Sequence, residues 1–375
     1  MGASVLLDST EVTSLPQPTG GSLRWPNMAW YRNGWVVAAN VFPLARDGRI
    51  QRRDLYLTHT RTGAMPLPSG DFLFAYPVLK VTRDGTLHLF WGEGPTETNG
   101  NGWPYSMTAV WHSAFLQGSW STPELIVSGE YLEWRPLATQ VADDGGGGLL
   151  VVVDVAAPRR PDELQLFASR GGTWTLLHTG SHGGTPAIAR LPDGRLVLVY
   201  MTGARGAPNQ LLVRESGDEG RTWSTAREVF SGPVREAAYW PQLHAEGDTL
   251  FLGWYESRDD VNTSWNLAMA IAGPGALDWR LVARQAIEGV TFEPSFAAIG
   301  CGRVLALLQS LSTTSAPLLT RVALRGEATG TERSVEQLAL APGIVRDGGR
   351  VAEVWSRMDT TARRIFPVLR ERRAC

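Results

Sequence analysis

The sequence predicts an all-β fold: one domain, residues 1–375, forming a seven-bladed β-propeller of four-stranded antiparallel blades. Three observations predict it. First, one phrase recurs: a proline, an apolar stretch, a turn containing Gly, then an apolar run. Its prolines are Pro26, Pro77, Pro136, Pro186, Pro241, Pro294 and Pro342, spaced 48 to 59 residues apart. Second, each copy has the signature of a hairpin, two strands around a glycine turn. Third, the 41 Gly, 23 Pro and 15 Trp favour many short strands joined by tight turns.

The units begin near residues 24, 75, 134, 184, 239, 292 and 340. Further strands follow each hairpin, as at Leu164–Ser169, Gln210–Ser216 and Asn266–Ala272. Trp120, Trp174, Trp223 and Trp279 then mark a late turn, 37 to 43 residues after their prolines. Four strands per period, repeated radially, make a blade. No unit shows a 3.6-residue apolar period, which excludes a helical solenoid. The last unit is short, so residues 4–12 are expected to supply its outer strand, closing the ring and leaving no open edge.

Composition narrows the function. A net charge of −2 without a block of like charges argues against nucleic-acid binding. No apolar run approaches the ~18 residues of a membrane span. Met1 to Leu15 lacks a basic start followed by an apolar core, so the expected location is cytoplasmic. Cys301 and Cys375 make no disulfide framework. Arginine supplies every basic side chain except Lys80, a compositional bias that makes Arg count poor evidence of function.

One segment is sharper than the rest. Ser216–Trp223 spells S-x-D-x-G-x-T-W, with a degenerate copy at Ser169–Trp174 and a weaker one at Gly118–Ser121. This resembles the Asp-box (BNR repeat) of sialidase-like β-propellers. The resemblance implies that Asp218 is a folding element in the turn between third and fourth strands, away from catalysis. In Arg24-Trp25-Pro26 the Arg resembles the family's first carboxylate-gripping arginine, a role suited to a bidentate guanidinium. Asp47 lies on the loop where the family places its catalytic acid, and Arg258, Arg303 and Arg357 are candidates to complete the arginine triad. The chain departs from the family in two ways. It has no Tyr after Tyr255 to act as the late-blade nucleophile, and its repeat counts seven where sialidases have six blades.

Propeller geometry adds candidates of its own, because the starts of the innermost strands share one rim. Residues at or just before the recurring prolines are Arg24, Trp25, Tyr76, Trp134, Arg135, Thr185, Tyr239, Trp240, Phe292 and Glu293. Arg24 and Arg135 suit a carboxylate, a phosphate or a developing oxyanion. Glu293, Tyr76 and Tyr239 suit general acid–base work. Trp25, Trp134, Trp240 and Phe292 suit stacking on a ring. The alternative is that these aromatics plug the channel. Loops between second and third strands add Glu93, Glu97, Arg205, Glu256, Arg258, Asp259 and Asp260. The six His are scattered, and no metal or organic cofactor is expected. Calcium on Asp259, Asp260 and Asn262 is the one candidate ion.

Three functional readings compete. The first is an enzyme acting on a small organic substrate in an axial pocket, of cyclase, isomerase, lyase or alkylating type. The second is a glycoside hydrolase or uronate polysaccharide lyase. The third is a non-catalytic glycan or peptide binder. Fold alone does not choose among them. The rim positions differ between units, which suits one distinct axial site.

Overall fold

In the computed structural model Pro26, Pro77, Pro186, Pro241 and Pro342 sit on the innermost strand of their sheets and interrupt its ladder, while Pro136 and Pro294 lie outside the described residues. The structure describes residues 12–16, 21–43, 54–72, 74–94, 106–133, 140–144, 147–157, 160–170, 172–202, 210–230, 237–257, 265–273, 277–287, 295–300, 303–311, 317–325, 332–337, 339–359 and 364–373. Its regular elements are strands. After β1 (Val12–Ser14) come β2 (Gly21–Tyr31), β3 (Gly34–Pro43), β4 (Asp54–His59) and β5 (Gly63–Ala64). The second unit holds β6 (Phe74–Val81), β7 (Leu87–Glu93), β8 (Ser106–Leu116), β9 (Ser119–Trp120) and β10 (Glu124–Glu133). The third holds β11 (Val141–Asp143), β12 (Leu149–Ala157), β13 (Arg160–Arg170) and β14 (Thr173–His182). Then follow β15 (Gly184–Arg190), β16 (Leu196–Met201), β17 (Leu211–Ser216) and β18 (Arg227–Glu228). The next unit is β19 (Ala237–Glu246), β20 (Thr249–Ser257), β21 (Trp265–Ala272) and β22 (Arg280–Ile287). The chain finishes with β23 (Ser295–Gly300), β24 (Arg303–Leu311), β25 (Pro317–Arg325), β26 (Glu332–Gln337), β27 (Ala339–Asp347), β28 (Arg350–Asp359) and β29 (Arg364–Arg373).

These strands form six sheets, not the expected seven four-stranded blades. Five sheets are four-stranded, and the sixth has nine strands. The reason lies in β10. Its ladder with β8 shifts register twice, and beyond those bulges Tyr131–Glu133 pair with Asp154–Ala156 of β12. The second and third repeat units therefore share hydrogen bonds and merge. Sequence period counts repeated phrases, whereas a sheet is counted by its hydrogen bonds.

The N-terminal closing strand is Val12–Ser14, which pairs with Val368–Arg370 of β29. Of the expected residues 4–12, Val12 is in it, and residues 4–11 lie outside the described residues. Across the ring closure, a Cβ on Gly343 would collide with the Pro26 carbonyl oxygen, so glycine permits β27 and β2 to approach. The Trp30 N–H donates to Asp347 Oδ2 at 3.3 Å across the same junction, and Arg350 lies 4.0 Å over the Trp30 ring.

The bulge at the proline is the shared backbone device. Register shifts fall between Arg24 and Asn27, Ala75 and Val78, Gly184 and Ala187, Tyr239 and Gln242, and Leu340 and Gly343. A proline offers the ladder no N–H, so the ladder skips it. At the first four of these the preceding residue turns left-handed: φ is +50° at Trp25, +52° at Tyr76, +46° at Thr185 and +53° at Trp240. Such backbone costs about 1–3 kcal/mol per bulky residue and needs support from its surroundings. Side chains of the preceding unit supply it by accepting the N–H of the turned residue. Asn40 Oδ1 accepts from Tyr76 at 2.9 Å, Asp154 Oδ2 from Thr185 at 3.3 Å and Met201 Sδ from Trp240 at 3.3 Å. A second set runs from the residue after the proline to the next unit. Asn27 Oδ1 accepts from Leu79 N–H at 2.9 Å, Gln242 Oε1 from Phe296 N–H at 3.1 Å and Ser295 Oγ from Ile344 N–H at 3.0 Å.

Apolar clusters fill the spaces between successive units. Val197, Val199 and Val213 of one sheet meet Leu250, Leu252 and Trp254 of the next. Leu198 and Tyr200, on the other face of β16, pack toward Leu150 and Leu166. Strand β16 is buried along its whole length because both faces are covered.

The Asp-box residues fold as a self-bonded turn between β17 and β18. Asp218 Oδ1 accepts from Thr222 N–H and Ser216 Oγ, both at 2.8 Å, and Oδ2 accepts from Thr222 Oγ1 at 2.6 Å. Glu219 and Gly220 take left-handed backbone, and the Trp223 Nε1–H donates to the Gly220 carbonyl at 3.0 Å. The bonds from Thr222 and Ser216 hold the Asp218 carboxyl down at about 2, below its usual 3.8.

Two predictions follow from these contacts. Asn27→Ala strands the buried Leu79 N–H and lowers unfolding free energy by about 1–3 kcal/mol in urea titrations. The Asp218 contribution is complete above about pH 4 and is lost as pH falls through about 2, because its native pKa is the lower one. Asp218→Ala therefore lowers the thermal midpoint at neutral pH, and its difference from wild type shrinks as pH falls from about 4 through about 2.

Candidate functional site

The innermost strands β2, β6, β11, β15, β19, β23 and β27 surround an axial channel with a cavity of about 680 Å³. Trp25 and Pro26 line it beside the bulges, and Arg83, Pro192, Gly247 and Gly348 line it at the hairpin turns that end these strands. The walls are apolar where Met28, Leu79, Ile188, Leu243 and Phe296 contribute. Between them sit charged groups: Lys80 on β6, Asp143 on β11, Arg190 on β15, His244 and Glu246 on β19, and Arg346 and Asp347 on β27. Each inner strand reaches the axis at the same phase, so side chains distant in sequence converge.

These groups perturb one another. Burial lowers the Lys80 ammonium below its usual 10.5, against the opposing pull of Asp143 and Asp347. His244 is pushed down to about 4 by burial first and by the Lys80 charge second. It is therefore a neutral imidazole at physiological pH, and its Nε2 is buried with no hydrogen-bond partner among the described residues. Burial raises the Asp347 carboxyl, with the Trp30 N–H and the Lys80 charge acting the other way. Arg346 is paired with Glu246 at 2.7 Å, and Arg190 Nη1 donates to the Asp144 carbonyl. The cavity thus holds a neutral base, a carboxyl that resists ionisation and an amine that resists protonation. Such a set can move protons around a bound polar molecule.

The structure places the sequence candidates unevenly. Trp25 is half-buried, lines the cavity and meets Tyr76 edge-on at 4.5 Å. Tyr76 is fully buried in the cluster formed by Val78, Phe90 and Met107, and does not line the cavity. Trp240 is half-buried against Tyr255 at 5.9 Å, and Thr185 Oγ1 donates to Met201 Sδ at 2.7 Å. Neither Trp240 nor Thr185 lines the cavity. Arg24 pairs with Asn40 and Tyr239 with Tyr255 along their backbones, which puts both at the bulge end of the inner strands. Glu256 is buried, receives Trp254 Nε1–H at 3.1 Å, and forms an ion pair with Arg284 at 2.7 Å. Glu93 accepts from Trp111 Nε1–H at 2.8 Å. Asp47, Glu97, Trp134, Arg135, Arg205, Arg258, Asp259, Asp260, Asn262, Phe292 and Glu293 lie outside the described residues. Among the described residues no group of three or more His, Cys, Asp or Glu forms a metal-binding cluster.

Sequence reasoning passed over Lys80, Asp143, Arg190, His244, Arg346 and Asp347. A signal was present: Lys80 and His244 stand three residues after Pro77 and Pro241, and Arg190 and Arg346 four after Pro186 and Pro342. The histidines also gather where their spacing suggested scatter. His88 Nδ1 and His112 Nε2 are 2.9 Å apart, His112 Nδ1 is 3.2 Å from Glu124 Oε2, and His88 Nε2 is 3.3 Å from Thr82 Oγ1. Burial holds both imidazoles down at about 4, and the proximity of His112 adds to the lowering of His88.

No protein-family model and no curated protein matches the sequence. Solved structures do match in fold. An ulvan lyase, a polysaccharide lyase solved with a -[GlcA(1-4)Rha3S]- ligand, aligns at TM-score 0.59 and 11% identity, over 93% of each chain. An α-L-arabinofuranosidase from Fusarium graminearum, with an iminosugar inhibitor, aligns at 0.50 and 12%, over 82% of this chain and 95% of that one. Trypanosoma rangeli sialidase with the inhibitor DANA aligns at 0.50 and 14%, over 81% of this chain and 55% of that one. The chain is a β-propeller of the architecture that these carbohydrate-cleaving enzymes share.

The buried histidines make stability depend on mild acid. Their native pKa values lie below the ordinary 6.5, so the unfolded chain takes up protons first as pH falls. Stability is full above about pH 6.5 and declines toward about pH 4. Urea midpoints measured across that interval should fall steadily, and the slope should be shallower in His112→Asn.

Proposed function

We propose that this protein is an enzyme that cleaves an anionic saccharide at the bulge end of its axial channel. One observation carries the reading: Trp25 presents a half-buried indole to the cavity, fixed by the left-handed bulge and by its edge contact with Tyr76. A rigid indole at the mouth of a cavity of about 680 Å³ suits the apolar face of a sugar ring. The sugar-cleaving enzymes of similar fold support the same reading.

In this scheme Arg24, next to Trp25 in the chain, grips the saccharide carboxylate and stabilises charge developing beside it. Arg135 and Arg258 assist, and Trp134 and Phe292 frame the sugar. Proton transfer to and from the leaving oxygen falls to Glu293 or Asp47, with Tyr239 at the same rim. Glu256 is held by Arg284 and Trp254, close to Arg258 in the sequence. The sequence has no Tyr beyond Tyr255 for a covalent step from a late unit. Direct water attack or elimination beside the carboxylate therefore accounts for cleavage better than a tyrosyl intermediate. For elimination, the arginine-neutralised carboxylate acidifies the neighbouring C–H, a base removes that proton, and an acid protonates the departing oxygen.

The test is turnover of uronate-containing oligosaccharides, followed by absorbance of the new double bond, alongside a fluorogenic sialoside. Cleavage of either is expected. Arg24→Ala should lower kcat/KM by about 10²–10³-fold and Trp25→Ala by about 10-fold, with circular dichroism unchanged. No turnover of any acidic saccharide would overturn the proposal in favour of a small-molecule substrate.

A further inference from the structure

We propose that Lys80 is a nucleophilic amine that captures small carbonyl compounds in the axial channel as a covalent imine. The inference starts from composition. Every other basic side chain among the 35 Lys and Arg is an arginine, and the single lysine lines the cavity. If only positive charge were needed there, guanidinium would serve, as it does at Arg190 and Arg346 in the same channel. What an arginine cannot do is lose its proton and attack a carbon atom; a lysine in a desolvated cavity can.

The surroundings fit that chemistry. The groups facing Lys80 come from four other inner strands: Asp143, Arg190, His244, Glu246, Arg346 and Asp347. Two of the carboxylates are engaged elsewhere, Glu246 by Arg346 and Asp347 by the Trp30 N–H. No salt bridge neutralises the amine by direct contact among the described residues, and desolvation shifts it toward the free base. His244 is neutral, and its buried Nε2 has no hydrogen-bond partner among the described residues, so its lone pair is open to a proton passed from Nζ. Asp347, whose carboxyl is raised by burial, is a ready proton donor.

The step balances without an oxidant or cofactor. The Lys80 Nζ lone pair adds to the carbonyl carbon, the C–O π bond breaks, and the oxygen takes a proton to give a carbinolamine. That proton comes from Nζ by way of His244; Asp347 then protonates the hydroxyl, and His244 passes the second Nζ proton back to the Asp347 carboxylate. Water leaves as the C=N bond forms. Cavity volume limits the carbonyl partner to a small molecule, and the three channel arginines, Arg83, Arg190 and Arg346, favour one bearing a carboxylate.

The experiment uses the full chain with glyoxylate and cyanoborohydride, followed by peptide mass spectrometry. Apart from the N-terminal amine, Lys80 is the chain's one primary amine, so the site of reaction is unambiguous. The expected result is reductive alkylation of Lys80 at least tenfold faster than of N-acetyl-lysine amide at pH 7.5, and its absence in Lys80→Arg. Modification confined to the N-terminal amine, or a Lys80 rate no greater than that of the model amide, overturns the proposal. Should Lys80→Arg fail to fold, the wild-type chain still decides it. Dimethylation of Lys80 with ¹³C-formaldehyde gives a resonance that titrates below the usual 10.5 if the amine is activated. Titration at or above that value overturns the assignment. Neither readout involves a saccharide, so this proposal and the glycan-cleaving one fail independently.

Discussion

The rest of the structure depends on one backbone constraint: an inner strand that must pass a proline. Proline cannot extend the ladder, so the strand bulges and the residue before it turns left-handed. The resulting N–H groups find acceptors not in their own sheet but on the neighbouring unit, at Asn40, Asp154 and Met201. The residue after the proline adds a second bond in the same sense, Asn27, Gln242 and Ser295 accepting from backbone N–H groups of the following unit. A local defect in each sheet thereby becomes a joint between sheets. Apolar packing between units supplies most of the driving force, but it is not directional. The paired hydrogen bonds set the rotation of one unit against the next.

That rotation determines what reaches the axis. Because the units share one phase, side chains three and four residues past the prolines meet in the channel although they come from β6, β15, β19 and β27. Bringing Lys80, His244 and Asp347 out of bulk water shifts each toward its uncharged form. The fold bears a cost in electrostatic stability there and holds the three groups close to one another in their uncharged forms. The opposite arrangement appears at Asp218, where local hydrogen bonds to the charged form keep the carboxylate ionised and the turn fixed. One chain thus uses carboxylates in two ways, set by environment.

Much of this was legible beforehand, but unequally. The hairpins were, since proline phase and glycine turns are local signals. So was the Asp-box, whose Ser, Asp, Gly and Trp bond within eight residues. The number of sheets was not. Whether β10 stops with β8 or goes on to β12 depends on bulges at Leu125–Val127 and Ser128–Leu132, which no period reveals. That a strand near the N-terminus joins the last sheet was also legible, because the last repeat is short; among the described residues Val12–Ser14 pair with β29. Of the rim aromatics, Trp25 faces the cavity while Tyr76, at the same phase one unit later, is entirely buried. Identical phase does not give identical exposure, because each neighbour covers a different part of the bulge.

The sequence by itself determined an all-β repeating chain, the positions of its inner strands, the Asp-box turn and the lone lysine. Those features rest on local chemistry: proline's missing N–H, glycine's permitted backbone and side chains bonding to their own turn. Tertiary structure alone decided that the repeats close as six sheets and that Lys80, Asp143, His244 and Asp347 share one cavity. Their convergence is a property of ring closure. Side chains more than 50 residues apart in sequence become neighbours only when the rotation between units is set, and that rotation depends on contacts between sheets.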